Sequence, residues 1–371
     1  MNKKNIDTFL TLVKAGLWAD VESTDLQNQG FVDNVDWGKV YQLSGEQSVV
    51  GLVTAGIDWF LDKASGKAER RGQDLRFMVP QDVLLQMIGE VQMMEQTNKA
   101  MNQFIAEIVG KMREADIYTL LVKGQSVAQC YERPLWRTSG DVDLLLSEDN
   151  YQKAKQFLLP LCSGHKNEER YSRHVGLSID PWYMEIHGSL RTGLSGRVDK
   201  EVDAVQRDVF YGGQVRSWNN GDTQVFLPAP DNDIFFLFTH FIKHFYKEGM
   251  NLRQVCDWCR LLWAFRKSLN HGVLEKRIRR AGLMSEWKAF ATLAVDYLGM
   301  PVEAMPMYDF SKQWSKKATQ TLNLILANYQ QNVVRDTWTI AKIFPMNTIK
   351  FAPAIFLNVN GLKIKERLFK R

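Results

Sequence analysis

The chain has 371 residues, 45% of them hydrophobic and 24% charged, a composition typical of a soluble globular protein with about two or three domains. The formal net charge of +5 fits an anionic ligand but is too small for a dedicated nucleic-acid binder. No stretch approaches the roughly 18 to 20 apolar residues that span a bilayer, and the 4 cysteines are typical of a reducing compartment, so we expect a cytoplasmic protein.

Residues 1–114 have the apolar spacing of helices. The spacing predicts helices over residues 6–14, 38–43 and 48–61, and a long helix over residues 81–114. Methionines and other apolar residues recur along one face of the long helix, which is typical of core packing. We therefore expect an N-terminal helical region that ends at residue 114.

The pattern changes near residue 115. Short apolar runs predict strands over residues 117–122, 142–146, 175–179 and 182–186, and an Asp-Pro turn joins the last two. Predicted helices over residues 125–131 and 151–159 alternate with these strands. Such alternation is typical of a small α/β or α+β domain, which we place at residues 115–230.

Residues 231–371 are helical again. Apolar spacing predicts helices over residues 233–246, 251–266, 272–281, 285–298 and 311–327, and residues 227–230 have the composition of a linker. The chain is therefore expected to be an α+β protein, in which a small mixed β-sheet domain is flanked by N- and C-terminal helical regions. A functional cleft would lie between the sheet domain and the C-terminal helices.

Two acidic residues mark the start of the predicted strand at residues 142–146. Successive side chains of a strand point to opposite faces, so Asp141 and Asp143 share one face while Val142 and Leu144 enter the core. Adjacent carboxylates repel each other unless a cation neutralises them. Oxygen ligands of this kind suit a hard divalent ion, and magnesium with a triphosphate is the common case.

Two further segments support a phosphate-binding site. Lys123-Gly124-Gln125-Ser126 follows a strand and precedes a helix, where free backbone N–H groups favour a phosphate. Further along the chain, Tyr183, Glu185 and His187 share one face of the predicted strand at residues 182–186. If that strand neighbours the Asp141–Asp143 strand, Glu185 becomes the third carboxylate of a metal cluster.

This order of residues resembles the uncharacterised bacterial nucleotidyltransferase family, which belongs to the DNA polymerase β-like superfamily. The resemblance covers roughly residues 5–300. It is most specific at residues 121–146. The matching features in chain order are Asp36-Trp37, Lys123-Gly124, Tyr131, Arg137-x-x-Gly-Asp-x-Asp-Leu-Leu, Glu185-Ile-His, His240-x-x-x-His244, Arg253 and Asp257.

The resemblance implies a nucleotidyltransferase that uses two Mg²⁺ ions and a nucleoside triphosphate (NTP). The ions would be ligated by three carboxylates, one ion activating the attacking hydroxyl and the other accompanying the triphosphate. His187 would be either a partner of a ligating carboxylate or a packed imidazole. The implied metal ligands are Asp141, Asp143 and Glu185, and the implied phosphate contacts are Lys123, Gly124, Gln125, Ser126 and Arg137.

Polar residues also follow one face of a predicted C-terminal helix. His240 and His244 are four residues apart, a spacing that can bind zinc, but no Glu follows His240 and the HExxH metalloprotease motif is therefore excluded. With Lys243 they form a polar face that would contact the nucleotide or the acceptor across the cleft. Arg253 and Asp257 have the spacing of a helix-surface ion pair. The basic residues 363–371 are expected to form a solvated helix, with contact to an acidic membrane as the alternative.

Two functional hypotheses remain open. The first is a magnesium-dependent enzyme that transfers a nucleoside monophosphate to a small molecule or a protein side chain. The second is a regulatory, antitoxin-like protein that binds nucleotide with little or no turnover. It stays open because Gln125 separates Gly124 from Ser126, whereas active superfamily members usually have Gly-Ser or Gly-Gly-Ser at this turn. Release of pyrophosphate would distinguish the two.

Overall fold

The computed structural model describes residues 2–19, 34–65, 79–327 and 333–352. Its N-terminal part is helical, as predicted, and the bounds of the long helix agree with the prediction. The first and third helices cross closely: a Cβ atom added at Gly16 would lie 2.0 Å from the Leu52 carbonyl oxygen, so only glycine fits there. The four helices are α1 (Lys3–Leu17), α2 (Trp37–Glu46), α3 (Val50–Ser65) and α4 (Gln81–Glu114).

One mixed sheet of seven strands lies at the centre of the fold. The strands are β1 (Thr119–Val122), β2 (Val142–Leu146), β3 (Gly164–His165), β4 (His174–Ile179), β5 (Trp182–His187), β6 (Val215–Asn220) and β7 (Thr223–Pro228). Their order across the sheet is β3-β4-β5-β2-β1-β7-β6. The pairs β2–β5 and β1–β7 are parallel, and the other neighbours are antiparallel.

The two faces of β2 pack against different layers. Val142, Leu144 and Leu146 belong to a core shared with the C-terminal half of α4 and with helix α6 (Glu148–Leu158). Leu145 points the other way, into the core formed by the N- and C-terminal helices. Because strand side chains alternate, Asp143 shares the face of Leu145 and is directed toward the C-terminal helices.

The five C-terminal helices predicted from the sequence, α8 to α12 below, match their predicted bounds to within about three residues at each end. Phe238, Trp258 and Trp287 lie at the centre of the core of these helices, with ring centroids 4.7–5.6 Å apart. No helix of the described part of the chain is long and apolar enough to cross a membrane. The basic residues 363–371 lie outside the described residues. The helices are α8 (Pro230–Lys247), α9 (Leu252–Phe265), α10 (His271–Ala281), α11 (Met284–Leu298), α12 (Lys312–Leu326), α13 (Val333–Ile343) and α14 (Pro345–Phe351).

Several helices and strands were not predicted from the sequence. They are the two-residue strand β3, helix α7 (Gly196–Tyr211), the hairpin formed by β6 and β7, and helices α13 and α14. The prediction of a linker at residues 227–230 is wrong, because Leu227 and Pro228 belong to β7 and Pro230 already begins α8. A short helix, α5 (Gly124–Ala128), follows β1 where a longer one was expected.

Candidate active site

Two parallel strands bring the predicted carboxylates together. In the register of β2 and β5, Asp143 lies opposite Glu185 and Leu145 lies opposite His187. The His187 Nε2 atom is 2.7 Å from Asp143 Oδ1 and 3.6 Å from Glu185 Oε2. The prediction that the Glu185 strand neighbours the Asp143 strand is therefore confirmed.

Lys123 enters the same cluster from the end of β1. It adopts a positive φ of 57° just after the strand, and its Nζ atom lies 2.9 Å from Asp143 Oδ1. The ammonium group of Lys123 and the imidazole of His187 thus contact the same carboxylate oxygen. We call Lys123, Asp141, Asp143, Glu185 and His187 the carboxylate cluster.

The charges of this cluster shift the pKa values of its members in opposite directions. Burial alone would raise the pKa of Asp143, but Lys123 and His187 outweigh burial and lower it. Repulsion from Asp143, followed by burial, raises the pKa of Asp141. Burial also lowers the pKa of His187. Asp143 is therefore held ionised, and its negative charge disfavours the ionised form of the neighbouring Asp141.

The donor set fits a divalent cation. Ligand atoms of Asp143, Glu185 and His187 all lie within 4.8 Å of one another, and Asp141 stands two residues before Asp143 at the same edge. The raised pKa of Asp141 indicates that a cation would relieve the repulsion between the two aspartates. The compact group thus contains two of the three predicted metal ligands, Asp143 and Glu185, together with His187, while Asp141 lies outside it.

A cavity of about 1010 Å³ opens in front of the carboxylate cluster. One side is formed by the ends of β1, β2 and β5 and by the loop at residues 189–196, and the other side by α8 and α9. This position agrees with the cleft expected between the sheet and the C-terminal helices. Among the predicted site residues, those that line it are Lys123, Gly124, Arg137, Asp141, Asp143, Glu185, His187, His240, Lys243 and His244.

The polar face of α8 faces the cavity as predicted. The Nε2 atoms of His240 and His244 are 3.0 Å apart, and His244 Nδ1 lies 2.9 Å from Glu248 Oε2. Lys243 contacts the same carboxylate at 3.1 Å. Burial, together with Lys123 and His244, holds the pKa of His240 well below its usual value. His240 is therefore a neutral imidazole at neutral pH.

Gln125 and Ser126 are not brought to the cavity. Their side chains are 2% and 0% exposed, and the Gln125 amide donates to Asn98 Oδ1 on α4 at 2.7 Å. The turn after β1 directs both side chains into the protein interior, so the Ser126 hydroxyl does not face a ligand in the cavity. Lys123 and Gly124 line the cavity, so the backbone amide of Gly124 remains a candidate for phosphate contact.

Arg137 lines the cavity but is held from behind by Asp257. The Nε and Nη2 atoms of Arg137 each donate to one Asp257 oxygen at 2.7 Å, and the Tyr131 hydroxyl donates to Asp257 Oδ1 at 2.8 Å. The expectation of a helix-surface pair between Arg253 and Asp257 is therefore wrong, because Asp257 is only 3% exposed and bonds to Arg137 instead. We call Tyr131, Arg137 and Asp257 the arginine–aspartate cluster.

Several cavity residues were not identified from the sequence as ligand contacts. Arg253 was a feature of the family resemblance without an assigned ligand contact, and the others belong to no recognisable motif. The loop at residues 189–196 was predicted as neither helix nor strand. Only the helical spacing of Lys247, one turn beyond Lys243 on the predicted polar face, could have indicated one of them. These residues are Tyr171, His174, Arg191, Lys247 and Arg253.

A family model described as an uncharacterised nucleotidyltransferase matches residues 33–299, which is more than half of the chain. The protein therefore belongs to this nucleotidyltransferase family. No curated protein matches the chain. A crystal structure of an antigenic nucleotidyltransferase-like protein from Paracoccidioides brasiliensis is similar over 54% of this chain and 93% of that chain, with 13% sequence identity and a TM-score of 0.33.

Proposed function

We propose that the protein is a magnesium-dependent nucleotidyltransferase that transfers a nucleoside monophosphate from an NTP to a hydroxyl group. The acceptor is a small molecule or a protein side chain. The observation that best supports this proposal is the parallel register of β2 and β5, which sets Asp143 opposite Glu185 beside Asp141 at the wall of the cavity. Membership of the nucleotidyltransferase family supports the same reaction class.

In the proposed reaction the acceptor oxygen forms a bond to the α-phosphorus, and the bond from that phosphorus to the α,β-bridging oxygen breaks. Pyrophosphate leaves, and the hydroxyl proton passes to water. Asp141, Asp143 and Glu185 would hold two Mg²⁺ ions, with His187 fixing the orientation of Asp143. When bound, the metal supplies charge neutralisation for the triphosphate and lowers the pKa of the attacking hydroxyl.

The remaining cavity residues bind and orient the nucleotide in this proposal. A volume of about 1010 Å³ is at the upper end of small-ligand sites, so it has room for a nucleotide and part of an acceptor. Lys123 and the backbone amide of Gly124 would face the phosphates. The Ser126 amide already donates to the Lys123 carbonyl at 2.8 Å. The polar face of α8 would contact the base or the acceptor through His240, Lys243 and His244.

One observation favours a second candidate, a regulatory protein that binds nucleotide with little turnover. The Lys123 ammonium already neutralises Asp143 at 2.9 Å, and the His187 imidazole contacts the same oxygen at 2.7 Å. A metal that uses this oxygen must displace the Lys123 ammonium. If that displacement is unfavourable, nucleotide binds but no pyrophosphate is released.

The test is thermal unfolding of the purified protein with ATP, GTP, CTP or UTP, each with and without Mg²⁺. Ligand at about a hundred times its Kd adds roughly 2.7 kcal/mol, which raises Tm by several degrees. We expect a magnesium-dependent rise for the wild type and its loss in Asp141→Asn. The variant without ligand is expected to melt at the same or a slightly higher temperature, because one of two repelling carboxylates is neutral.

Asp222→Asn is the matched control, since it removes an exposed carboxylate in the turn between β6 and β7 and is expected to respond as the wild type does. An absence of any response to all four nucleotides would contradict both candidates. A magnesium-dependent response without pyrophosphate release, tested with hydroxyl-bearing acceptors, would favour the regulatory candidate.

A further inference from the structure

Arg253 differs from the other arginines that line the cavity because it forms no ion pair with a carboxylate of the described residues. It lies in the first turn of α9, and its Nη1 atom donates to the Thr138 carbonyl at 2.8 Å. Its Nε atom is fully enclosed and has no hydrogen-bond partner among the described residues. Among the described residues, no carboxylate oxygen of an Asp or Glu lies within 4.0 Å of this guanidinium, the distance that defines an ion pair. Arg253 therefore has no ion-pair partner among the described residues, and the attraction of Asp257 and Asp141 does not outweigh the effect of burial on its pKa.

Arg137 and Arg191 line the same cavity and provide the comparison. Arg137 makes two 2.7 Å bonds to Asp257, and Arg191 bonds to both oxygens of Asp203 at 2.6–3.1 Å. Arg253 lacks such a partner, and burial followed by repulsion from Arg137 lowers the pKa of its guanidinium. A largely buried charge without an ion-pair partner destabilises a protein. The position of Arg253 at the cavity wall therefore points to an anionic ligand.

We infer that Arg253 binds a phosphate group of the ligand, an inference that rests on the nucleotidyl transfer proposed for this cavity. The planar guanidinium keeps N–H groups that the Thr138 carbonyl does not use, and these match a phosphate in bidentate geometry. The carboxylate cluster and Arg253 line one cavity with opposite charges. A triphosphate with its divalent ion presents both complementary charges at once.

The phosphate could come from the triphosphate chain of an NTP or from a phosphorylated acceptor. Both sources have the chemistry that Arg253 recognises, and the experiment below separates them. Arg253 also contacts the backbone three residues before Asp141, at a carbonyl that Arg137 Nη1 reaches at 3.2 Å. A purely structural role in holding this loop is therefore the outcome that the experiment must exclude.

The experiment measures thermal unfolding with inorganic tripolyphosphate and with orthophosphate, in EDTA and without magnesium. Wild type is compared with Arg253→Gln and Arg253→Lys. The exposed Arg279→Gln on α10 is the charge-matched control, because Arg279 pairs with Glu275 on the same helix. We expect Arg253→Gln to weaken the apparent Kd for tripolyphosphate about 10- to 100-fold without lowering the Tm of the ligand-free protein.

Arg253→Lys keeps the charge without the planar fork, so an intermediate Kd and a wild-type Tm are expected. If Arg253→Gln does not fold, the binding comparison is made with Arg253→Lys alone. Unchanged tripolyphosphate binding in the variants would overturn the inference, whether or not the ligand-free Tm falls. A wild type that responds to neither anion would overturn it as well.

Repeating the comparison with the NTP and Mg²⁺ identifies the source of the phosphate. If Arg253→Gln weakens the NTP response, the phosphate belongs to the nucleotide. If it weakens only the responses to inorganic phosphates, the phosphate belongs to the acceptor. A third result is that the wild type responds to tripolyphosphate through Arg253 and yet shows no magnesium-dependent response to an NTP. In that case the proposed function fails, while the inference about Arg253 stands.

Discussion

The carboxylate cluster and the arginine–aspartate cluster are two buried charge centres at one cavity, each built around an aspartate. Asp143 is 4% exposed and is contacted by an ammonium group and an imidazole, while Asp257 is 3% exposed and is contacted by a guanidinium and a phenol. The contacts to Asp143 fall on a single oxygen, whereas Arg137 uses both oxygens of Asp257. A point-charge partner is easier to displace than a bidentate fork, so the first centre suits ligand exchange and the second suits fixing the structure.

Asp257→Ala should cause the largest effect. It leaves Arg137 buried without a counter-ion and Tyr131 without its acceptor, so we expect a loss of about 3–5 kcal/mol in the free energy of unfolding. Urea denaturation of the metal-free protein measures this loss. A cost below about 1 kcal/mol would mean that Arg137 finds another partner and that Asp257 does not hold it in place.

Asp143→Ala should destabilise the metal-free protein less, by about 1–3 kcal/mol. Lys123 remains close to Asp141 and Glu185, both of which also raise the pKa of its ammonium group against the opposing effect of burial, so its charge keeps partners after the truncation. The same urea experiment compares the two alanine variants directly. A loss equal to that of Asp257→Ala would remove the distinction between an exchangeable and a fixed centre.

The double variant Arg137→Met with Asp257→Leu sharpens the comparison. Replacing both members of a buried ion pair by apolar residues of similar volume is often neutral, so we expect it to recover at least half of the loss caused by Asp257→Ala. Unfolding curves in urea test this recovery. Its absence would indicate that the hydrogen bonds to Tyr131 and Thr138, rather than the paired charges, supply the stability.

The smallest of the expected effects is the change in metal binding caused by Lys123→Met. Removing the ammonium group removes the competitor at Asp143 Oδ1, so divalent-ion binding without nucleotide should strengthen by up to about tenfold. Calorimetric titration with Mn²⁺ in place of Mg²⁺ measures the change, with Lys276→Met on α10 as the control. Weaker binding of Mn²⁺ to Lys123→Met would contradict the idea that the ion and the Lys123 ammonium compete for Asp143 Oδ1.

Local periodicity made the central features predictable. The alternation of Asp141, Val142, Asp143 and Leu144 indicated both the strand and its charged face, and the spacing of apolar residues indicated α4 to its ends. The position of Glu185 beside Asp143 followed once the two strands were taken as neighbours. The inferences about the strand and the long helix needed only residues that are close together in the chain.

The features that were missed depend on weak or distant signals. Helix α7 contains four buried valines at helical spacing, but valine has low helix propensity and most of their neighbours in the chain are polar. Strand β6 is an edge strand with polar residues on both faces, so its alternation is faint. The Arg137–Asp257 pair joins residues 120 positions apart, which no local pattern reveals. The inward direction of Ser126 depends on how the turn after β1 packs against α4.

The parallel register of β2 and β5 makes the site sensitive to chain length in one short segment. Deleting one residue before Glu185 within β5, with the hairpin turn kept in place, would set Ile186 opposite Asp143 and turn Glu185 to the apolar face. The loop at residues 166–172 precedes the β4–β5 hairpin and can change length without altering this pairing. Natural or engineered length variation should therefore accumulate in that loop and be absent from Trp182–His187.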